Sequence, residues 1–311
     1  MSKAERIGRR AIKVANSVVN LCVLVTILLL LSFGVYALWD SHQIFGGADA
    51  ANYTIFRPSA EDESYSFQQL QAINDDVFAW LTVYGTGIDY PVVQGPNNLY
   101  YVSRCAQGTH SFAGSIFLDS YSCRDFTHFS SIFYGHHMAR GVMFGDIGQF
   151  VRRDFFEARR YGMLYFGGRE HGLEFFAFVH THASDTSVFR TAIEGGEQQQ
   201  AYLDMLLDRA IHTRDDVPVT IDDRLVLLST CSEASTQGRD ILIGRITDEL
   251  FEDTFETDNP ERTNPTRVID RLAALPMWAS VGMIVLPCLL ILLLVVLLYK
   301  KRAKKEKEKR K

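Results

Sequence analysis

Residues 224–231 read Arg-Leu-Val-Leu-Leu-Ser-Thr-Cys, and residues 239–245 read Arg-Asp-Ile-Leu-Ile-Gly-Arg. Both are short apolar runs of the kind that form buried β-strands. The loop between them is polar, so we expect a hairpin that brings Cys231 at one strand end beside Arg239 at the start of the next. A guanidinium beside a thiol favours the thiolate or stabilises an oxyanion on a substrate that the thiol attacks. The pair therefore predicts a reactive cysteine.

An imidazole that could serve this cysteine lies at the end of another predicted strand, where residues 134–137 read Tyr-Gly-His-His. A cysteine with a spatially adjacent histidine is the nucleophile and base of acyl transfer. Because neighbouring residues of a strand point to opposite faces, only one of His136 and His137 can meet Cys231.

The rest of the middle region is rich in short strands and poor in helices. Residues 67–73 and 198–209 carry apolar side chains at helical spacing. Many short strands with few helices favour a mainly β fold, a closed or nearly closed β-barrel with an N-terminal and a peripheral helix. The other predicted strands are residues 80–83, 88–90, 115–118, 131–134, 164–166 and 173–179.

Two long runs without a charged residue, 14–39 and 272–299, flank this region. Each exceeds the roughly 20 residues that a helix needs to cross a hydrocarbon core of about 30 Å. Each is bordered by a Lys/Arg cluster, and such clusters stay cytoplasmic under the positive-inside rule. We expect two transmembrane helices in the cell membrane, with both termini cytoplasmic and the region between them extracellular. A cleaved signal peptide is the alternative for the first run.

The charge of the chain is divided between its ends and its middle. Residues 1–13 carry five basic and one acidic side chain, residues 300–311 carry nine and two, and the residues between carry 18 and 34. An acidic middle repels phosphate backbones, which excludes a nucleic-acid partner there and leaves the lipid bilayer as a partner of the apolar runs. The expected order is a cytoplasmic basic segment (1–13), a transmembrane helix (14–39), a linker (40–65), a catalytic domain (66–248), an acidic linker (249–271), a transmembrane helix (272–299) and a cytoplasmic basic tail (300–311).

Five motifs in the same order give the chain a resemblance to the class B sortases over about residues 66–246. They are Ala-Trp-Leu at 79–81, Ile-Asp-Tyr-Pro-Val-Val-Gln at 88–94, Gly-Ser-Ile-Phe-Leu-Asp at 114–119, Tyr-Gly-His-His-Met at 134–138, and Leu-Ser-Thr-Cys at 228–231 with Arg239 eight residues after the cysteine. The first threonine of the family's cysteine motif is Leu227 here, a departure that we assign to strand packing.

The resemblance implies a cysteine transpeptidase with a sortase-type closed β-barrel. Cys231 would attack a threonine carbonyl in the C-terminal sorting signal of a secreted protein, and Arg239 would hold the substrate and the oxyanion. His136 would be the acid and base, because the family's histidine directly follows glycine. The resulting thioester would be resolved by an amine acceptor on a peptidoglycan precursor or a pilin, with no metal and no other cofactor. The expected substrate-binding residues are Ser229, Thr230 and Glu233.

Several alternatives remain open at this level. A catalytically inactive, sortase-like binding or sensor module is the alternative to an enzyme, and Glu233 could be a solvated loop carboxylate. The sequence does not choose between anchoring proteins to the wall and polymerising pilins. Cys105 and Cys123 could form a disulfide or remain two free thiols, since pairing cannot be deduced from sequence.

The chain contains no lysine between Lys13 and Lys300. Codon usage that favours arginine is one explanation. The other is that an enzyme with a reactive thioester benefits from having no primary amine of its own, since lysine can present a nucleophilic amine whereas a guanidinium stays protonated.

Overall fold

A computed structural model of the chain describes residues 3–58, 65–232 and 235–255. The described residues fall into two compact units that divide between Gln43 and Ile44. The predicted second transmembrane helix (272–299), the basic tail (300–311) and most of the acidic linker lie outside the described residues.

The N-terminal unit is helical. Helix α1 runs over Lys3–Ala48, well beyond the predicted end at residue 39. Among the described residues it is the helix long and apolar enough to cross a membrane, with a mean hydropathy of 2.7 in its most apolar window. Its apolar side chains, such as Leu29 and Leu30, are exposed. A helix that is apolar all round and not covered by protein matches lipid rather than water.

The predicted linker 40–65 is structured over much of its described length. After α1, two short 3-10 helices cover Ala50–Asn52 and Thr54–Phe56, and Tyr53 and Phe56 are buried in the core of the barrel unit. The hydroxyl of Tyr90 donates to the carbonyl oxygen of Ala48 at 2.9 Å. Burial of these aromatic side chains explains why this part of the linker packs on the barrel unit.

The second unit is a closed β-barrel, as the sequence predicts. Eight of its strands pair in the closed order β5-β1-β2-β3-β4-β8-β9-β6, with β6 returning to β5, while β7 adds to β6. The β2–β3 and β4–β8 pairs are parallel and the others are antiparallel. The strands are β1 Val77–Val83, β2 Asp89–Val93, β3 Ile116–Leu118, β4 Ser130–Tyr134, β5 Tyr161–Phe166, β6 Arg169–His182, β7 Ala210–Thr213, β8 Arg224–Ser232 and β9 Ser235–Thr247.

Three further helices border the barrel: α2 Tyr65–Ile73, α3 Arg153–Ala158 and α4 Gly196–Arg209. Helices α2 and α4 match the sequence predictions. Helix α3 and strand β7 were not predicted, because α3 has only 6 residues, fewer than two turns, and β7 has no buried residue and so no apolar run.

Both faces of strand β8 are buried. Val226 and Leu228 belong to the aromatic-rich barrel interior, whereas Leu225 and Leu227 pack on the outer face with Leu203 and other residues of α4. This burial explains why β8 reads as a continuous apolar run and not as an alternating one. The outer face is apolar along the α4 contact and becomes polar towards the C-terminal end of β8, where Ser229 follows.

Cys105 and Cys123 are two free thiols, not a disulfide. The sulfur of Cys105 lies 3.0 Å from Thr109 Oγ1, and the sulfur of Cys123 lies 3.1 Å from His128 Nε2. Each thiol therefore contacts a polar side chain four or five residues further along the chain, and the two cysteines do not pair with each other.

Candidate active site

The β8–β9 hairpin sets the register of the predicted nucleophile and cation. Cys231 pairs directly with Arg239, and Ser229 pairs with Ile241, before a register shift between Cys231 and Ser232. Directly paired residues of antiparallel strands lie on the same face of the sheet, so positions 229, 231, 239 and 241 share the outer face. Glu233, a predicted substrate-binding residue, lies outside the described residues.

Strand β4 brings the histidine to the same place. It runs parallel to β8 with Tyr134 opposite Ser229, and the Gly135 N–H donates to the Ser229 carbonyl at 3.3 Å. Alternation therefore gives His136 the outer face and His137 the other face. Consistent with this, His136 borders the cavity on the outer face, whereas His137 forms a β-bridge with Met143.

The ring of His136 is held by a backbone carbonyl. Its Nε2 lies 2.8 Å from the carbonyl oxygen of Val102, in the 3-10 helix Tyr100–Ser103. A carbonyl oxygen only accepts, so Nε2 carries the hydrogen and Nδ1 is the nitrogen available for proton exchange. Sequence reasoning missed Val102, because a main-chain acceptor leaves no mark on the side-chain pattern.

Glycine makes this close approach possible. At Gly114, with φ of +63°, a Cβ would lie 2.6 Å from the Val102 oxygen and 3.1 Å from His136 Cδ2. Only a residue without a side chain fits between the carbonyl and the ring.

An open cavity of about 410 Å³ lies over the outer face at this end of the sheet. Four predicted site residues border it, namely His136, Arg239, Ser229 and Thr230. The hydroxyls of Ser229 and Thr230 are buried and have no hydrogen-bond partner among the described residues. Such groups are costly unless a ligand satisfies them. The other lining residues, which the sequence analysis did not name as site residues, are Asn98, Val102, Phe117, Tyr134, Gly135, Ala183, Thr186 and Phe189.

Comparison with known proteins assigns this architecture. No model of a known protein family matches the sequence. The protein named Sortase B of Staphylococcus aureus is 30% identical over 184 residues, which cover 58% of this chain and 74% of that protein. The chain belongs to the class B sortases.

Solved structures agree. The chain is similar to sortase B from the type II pilus of Streptococcus pneumoniae, with 43% identity, a TM-score of 0.52, and coverage of 59% of this chain and 99% of that chain. A class B sortase of Streptococcus pyogenes involved in pilus biogenesis gives 37% identity, a TM-score of 0.54, and coverage of 59% and 99%. This class B sortase is therefore an enzyme of the cysteine transpeptidase kind.

In this class B sortase, Arg239 supplies the fixed positive charge of the cavity lining. One of its guanidinium nitrogens, Nη1, donates to the Gly238 carbonyl at 2.9 Å, which ties the side chain to the hairpin.

Burial, followed by the nearby charge of Asp119, raises the pKa of Tyr134, so its hydroxyl stays protonated over the physiological range. Among the described residues, no group of three or more His, Cys, Asp or Glu side chains is arranged to hold a metal ion.

One cavity wall comes from the segment after β6, which contributes Ala183, Thr186 and Phe189. The carboxylate of Asp185 organises this segment by accepting hydrogen bonds from three partners. They are Ser187 within the segment, the Thr181 hydroxyl of β6 at 2.9 Å, and the guanidinium of Arg209 at the end of α4. No sequence signal marks this wall, because its partners come from three elements.

Proposed function

We propose that this chain is a catalytically active class B sortase that cleaves a C-terminal sorting signal and transfers the protein to an amine. The observation that supports the proposal is that Cys231 pairs with Arg239 across the β8–β9 hairpin, and that strand β4 ends at the same edge of the sheet, followed by His136 at a cavity that Arg239 also lines. An inactive binding module has no need of a histidine whose ring is fixed by a backbone carbonyl at the cavity that Arg239 also lines.

The proposed acylation step uses these three groups. The Cys231 thiolate attacks the carbonyl carbon of the signal's threonine, and the guanidinium of Arg239 stabilises the oxyanion. The carbon–nitrogen bond then breaks, and His136 gives its proton to the leaving amine, which leaves a thioester on Cys231.

The proposed transfer step reverses the proton movement. The acceptor amine attacks the thioester carbonyl, His136 takes the amine's proton, and the Cys231 thiolate leaves. The products are a new amide bond and free enzyme, so the cycle needs no oxidant and no further cofactor. Ser229, on the outer face, would pair its hydroxyl with the bound peptide, whereas alternation turns the Thr230 hydroxyl towards the other face of β8.

For the acceptor, we propose a pilin lysine over a peptidoglycan amine. Two solved class B sortases at 43% and 37% identity come from pilus systems by description, against 30% for the staphylococcal Sortase B. The test is competition between a lysine-bearing pilin domain and a cross-bridge peptide for the same thioester. Exclusive transfer to the cross-bridge peptide would refute this acceptor.

We further propose that α1 anchors the enzyme in the membrane and that residues 272–299 form a second span, with the barrel outside the cell. The length and apolarity of α1 and the Lys/Arg clusters support this arrangement. Protease added to intact cells should digest the barrel and spare tags at both termini. Digestion of either tag before the membrane is permeabilised would contradict the orientation.

Activity itself is tested with a quenched fluorescent peptide library in which one threonine is fixed and the flanking positions vary. We expect the purified full-length enzyme to cleave a subset of peptides after threonine, and the best of these serves as the reporter peptide below. Absence of cleavage together with tight peptide binding would favour the binding-module alternative.

A further inference from the structure

Asp119 is a buried carboxylate next to the cavity, and the proposed chemistry does not use it. It directly follows β3, and its N–H donates to the Ile132 carbonyl at 2.8 Å, which fixes its backbone beside β4. Only 6% of the residue is exposed. Burying a carboxylate costs free energy unless hydrogen bonds compensate, so the partners of Asp119 define its role.

Those partners are uncharged, and two of them line the cavity. Asp119 Oδ2 accepts from Asn98 Nδ2 at 2.7 Å and from the Tyr134 hydroxyl at 3.3 Å. Asp119 Oδ1 accepts the Tyr121 N–H at 2.9 Å. Both Asn98 and Tyr134 border the cavity that His136 and Arg239 also line.

These bonds fix which hydrogen-bonding groups remain for a ligand. The Asn98 Oδ1 accepts the Ser120 N–H at 2.8 Å, so the amide cannot flip, and one N–H of its Nδ2 remains unassigned. The Tyr134 hydroxyl uses its hydrogen on Asp119, which leaves its oxygen as an acceptor. Asn98 therefore has a donor and Tyr134 an acceptor left for a ligand in the cavity.

A peptide unit carries the complementary pair, a carbonyl acceptor and an N–H donor. We propose that Asp119 is a positioning residue that fixes the hydrogen-bonding polarity of Asn98 and Tyr134, so that the cavity receives an extended peptide backbone in one orientation. This inference rests on the proposed function, because the peptide is the sorting signal.

The Asp119→Asn variant of the full-length enzyme tests the proposal with little change in side-chain volume. An amide at this position can donate to the Tyr134 oxygen and remove the acceptor from the cavity. For the reporter peptide we expect KM to rise about tenfold and kcat to stay within about threefold. The reason is that the lost contact holds the peptide equally strongly in the ground state and in the transition state. Asp125→Asn, an exposed carboxylate of the same loop bonded to Thr127, is the matched control and should match wild type.

An N-methyl scan of the reporter peptide distinguishes positioning from a purely structural role. In the wild-type enzyme, one N-methylated position should bind about tenfold more weakly, since it lacks the N–H that meets Tyr134. That discrimination should vanish in Tyr134→Phe and in Asp119→Asn alike.

Some results would overturn the inference about Asp119, and another would overturn the proposed function. Asp119→Asn with wild-type KM and intact discrimination overturns the inference, as does an equal fall in kcat/KM for every peptide that follows loss of thermal stability. A wild-type enzyme that cleaves no library peptide overturns the proposed function, and the inference falls with it.

Discussion

Replacing Gly114 with alanine should disable the enzyme through the main chain, without touching a catalytic side chain. The new Cβ would lie 2.6 Å from the Val102 oxygen, 2.8 Å from the Tyr101 oxygen and 3.1 Å from His136 Cδ2. Contacts below 3.0 Å with backbone cannot be kept, so the Val102 carbonyl must move. The hydrogen bond that fixes the His136 ring is then stretched or broken.

The magnitude has two parts that a matched control separates. A left-handed φ costs a non-glycine residue about 1–2 kcal/mol, and overpacking against fixed atoms costs about 1–3 kcal/mol more. Gly108 has φ of +82° but no atom within 4 Å of an added Cβ, so Gly108→Ala carries the first cost alone. We expect the free energy of unfolding of Gly114→Ala to be about 1–3 kcal/mol lower than that of Gly108→Ala.

Activity should separate the two variants further. Misplacing a catalytic group by about 1 Å can lower the rate about 100-fold. Steady-state cleavage of the reporter peptide, at a temperature where both variants are folded, should give kcat/KM about 100-fold lower for Gly114→Ala and near wild type for Gly108→Ala. Equal activities of the two folded variants would refute the role of the Val102 carbonyl.

Three further predictions address other parts of the site. Arg239→Lys should lose about 100-fold or more in kcat/KM, because an ammonium cannot reproduce the planar guanidinium fork, and near-normal turnover would reduce Arg239 to a simple charge. Hydrogen bonds from Ser187, Thr181 and Arg209 lower the pKa of Asp185 to about 2, so its stabilisation of the cavity wall is complete above the ordinary carboxyl pKa and is lost as pH falls towards 2. The amide-exchange protection factors of residues 183–189, which correct for the intrinsic slowing of exchange towards acid, should therefore fall over that acidic range in wild type and not in Asp185→Asn, and equal profiles would contradict it. Arg190→Lys, which places an amine next to the lining residue Phe189, should yield an enzyme–peptide isopeptide by mass spectrometry that Arg190→Gln does not, and absence of the adduct would leave codon usage as the explanation of the missing lysines.

The sequence predicted the barrel where burial makes the pattern strong. Strand β8 is apolar on both faces, and β9 shares its core contacts, so their apolar runs and polar connection were sufficient. The ends of β6 were missed, because the predicted 173–179 extends in the structure to Arg169–His182, where charged and histidine residues interrupt the pattern. These polar ends belong to β6 because they pair with β5 and β9, and no local sequence pattern encodes that pairing.

The sequence predicts the catalytic residues, which stay a prediction, but not the residues that form the cavity walls. The assignment of His136 over His137 followed from alternation and from the family motif, and the β4–β8 register is consistent with it. Asn98, Asp119 and the Val102 carbonyl were not recognised, because their roles depend on contacts between segments far apart in sequence. Such contacts follow from the fold and cannot be deduced from spacing.

The measurement that tests the central claim most directly is the location of the acyl group on the enzyme. The full-length protein is mixed with the reporter peptide and quenched in acid, and intact mass and peptide mapping then find the modified residue. The account predicts one adduct with the mass of the peptide up to its threonine, on Cys231, present in Cys123→Ala and absent in Cys231→Ala. An adduct on Cys105 or Cys123, or one that persists in Cys231→Ala, would contradict it.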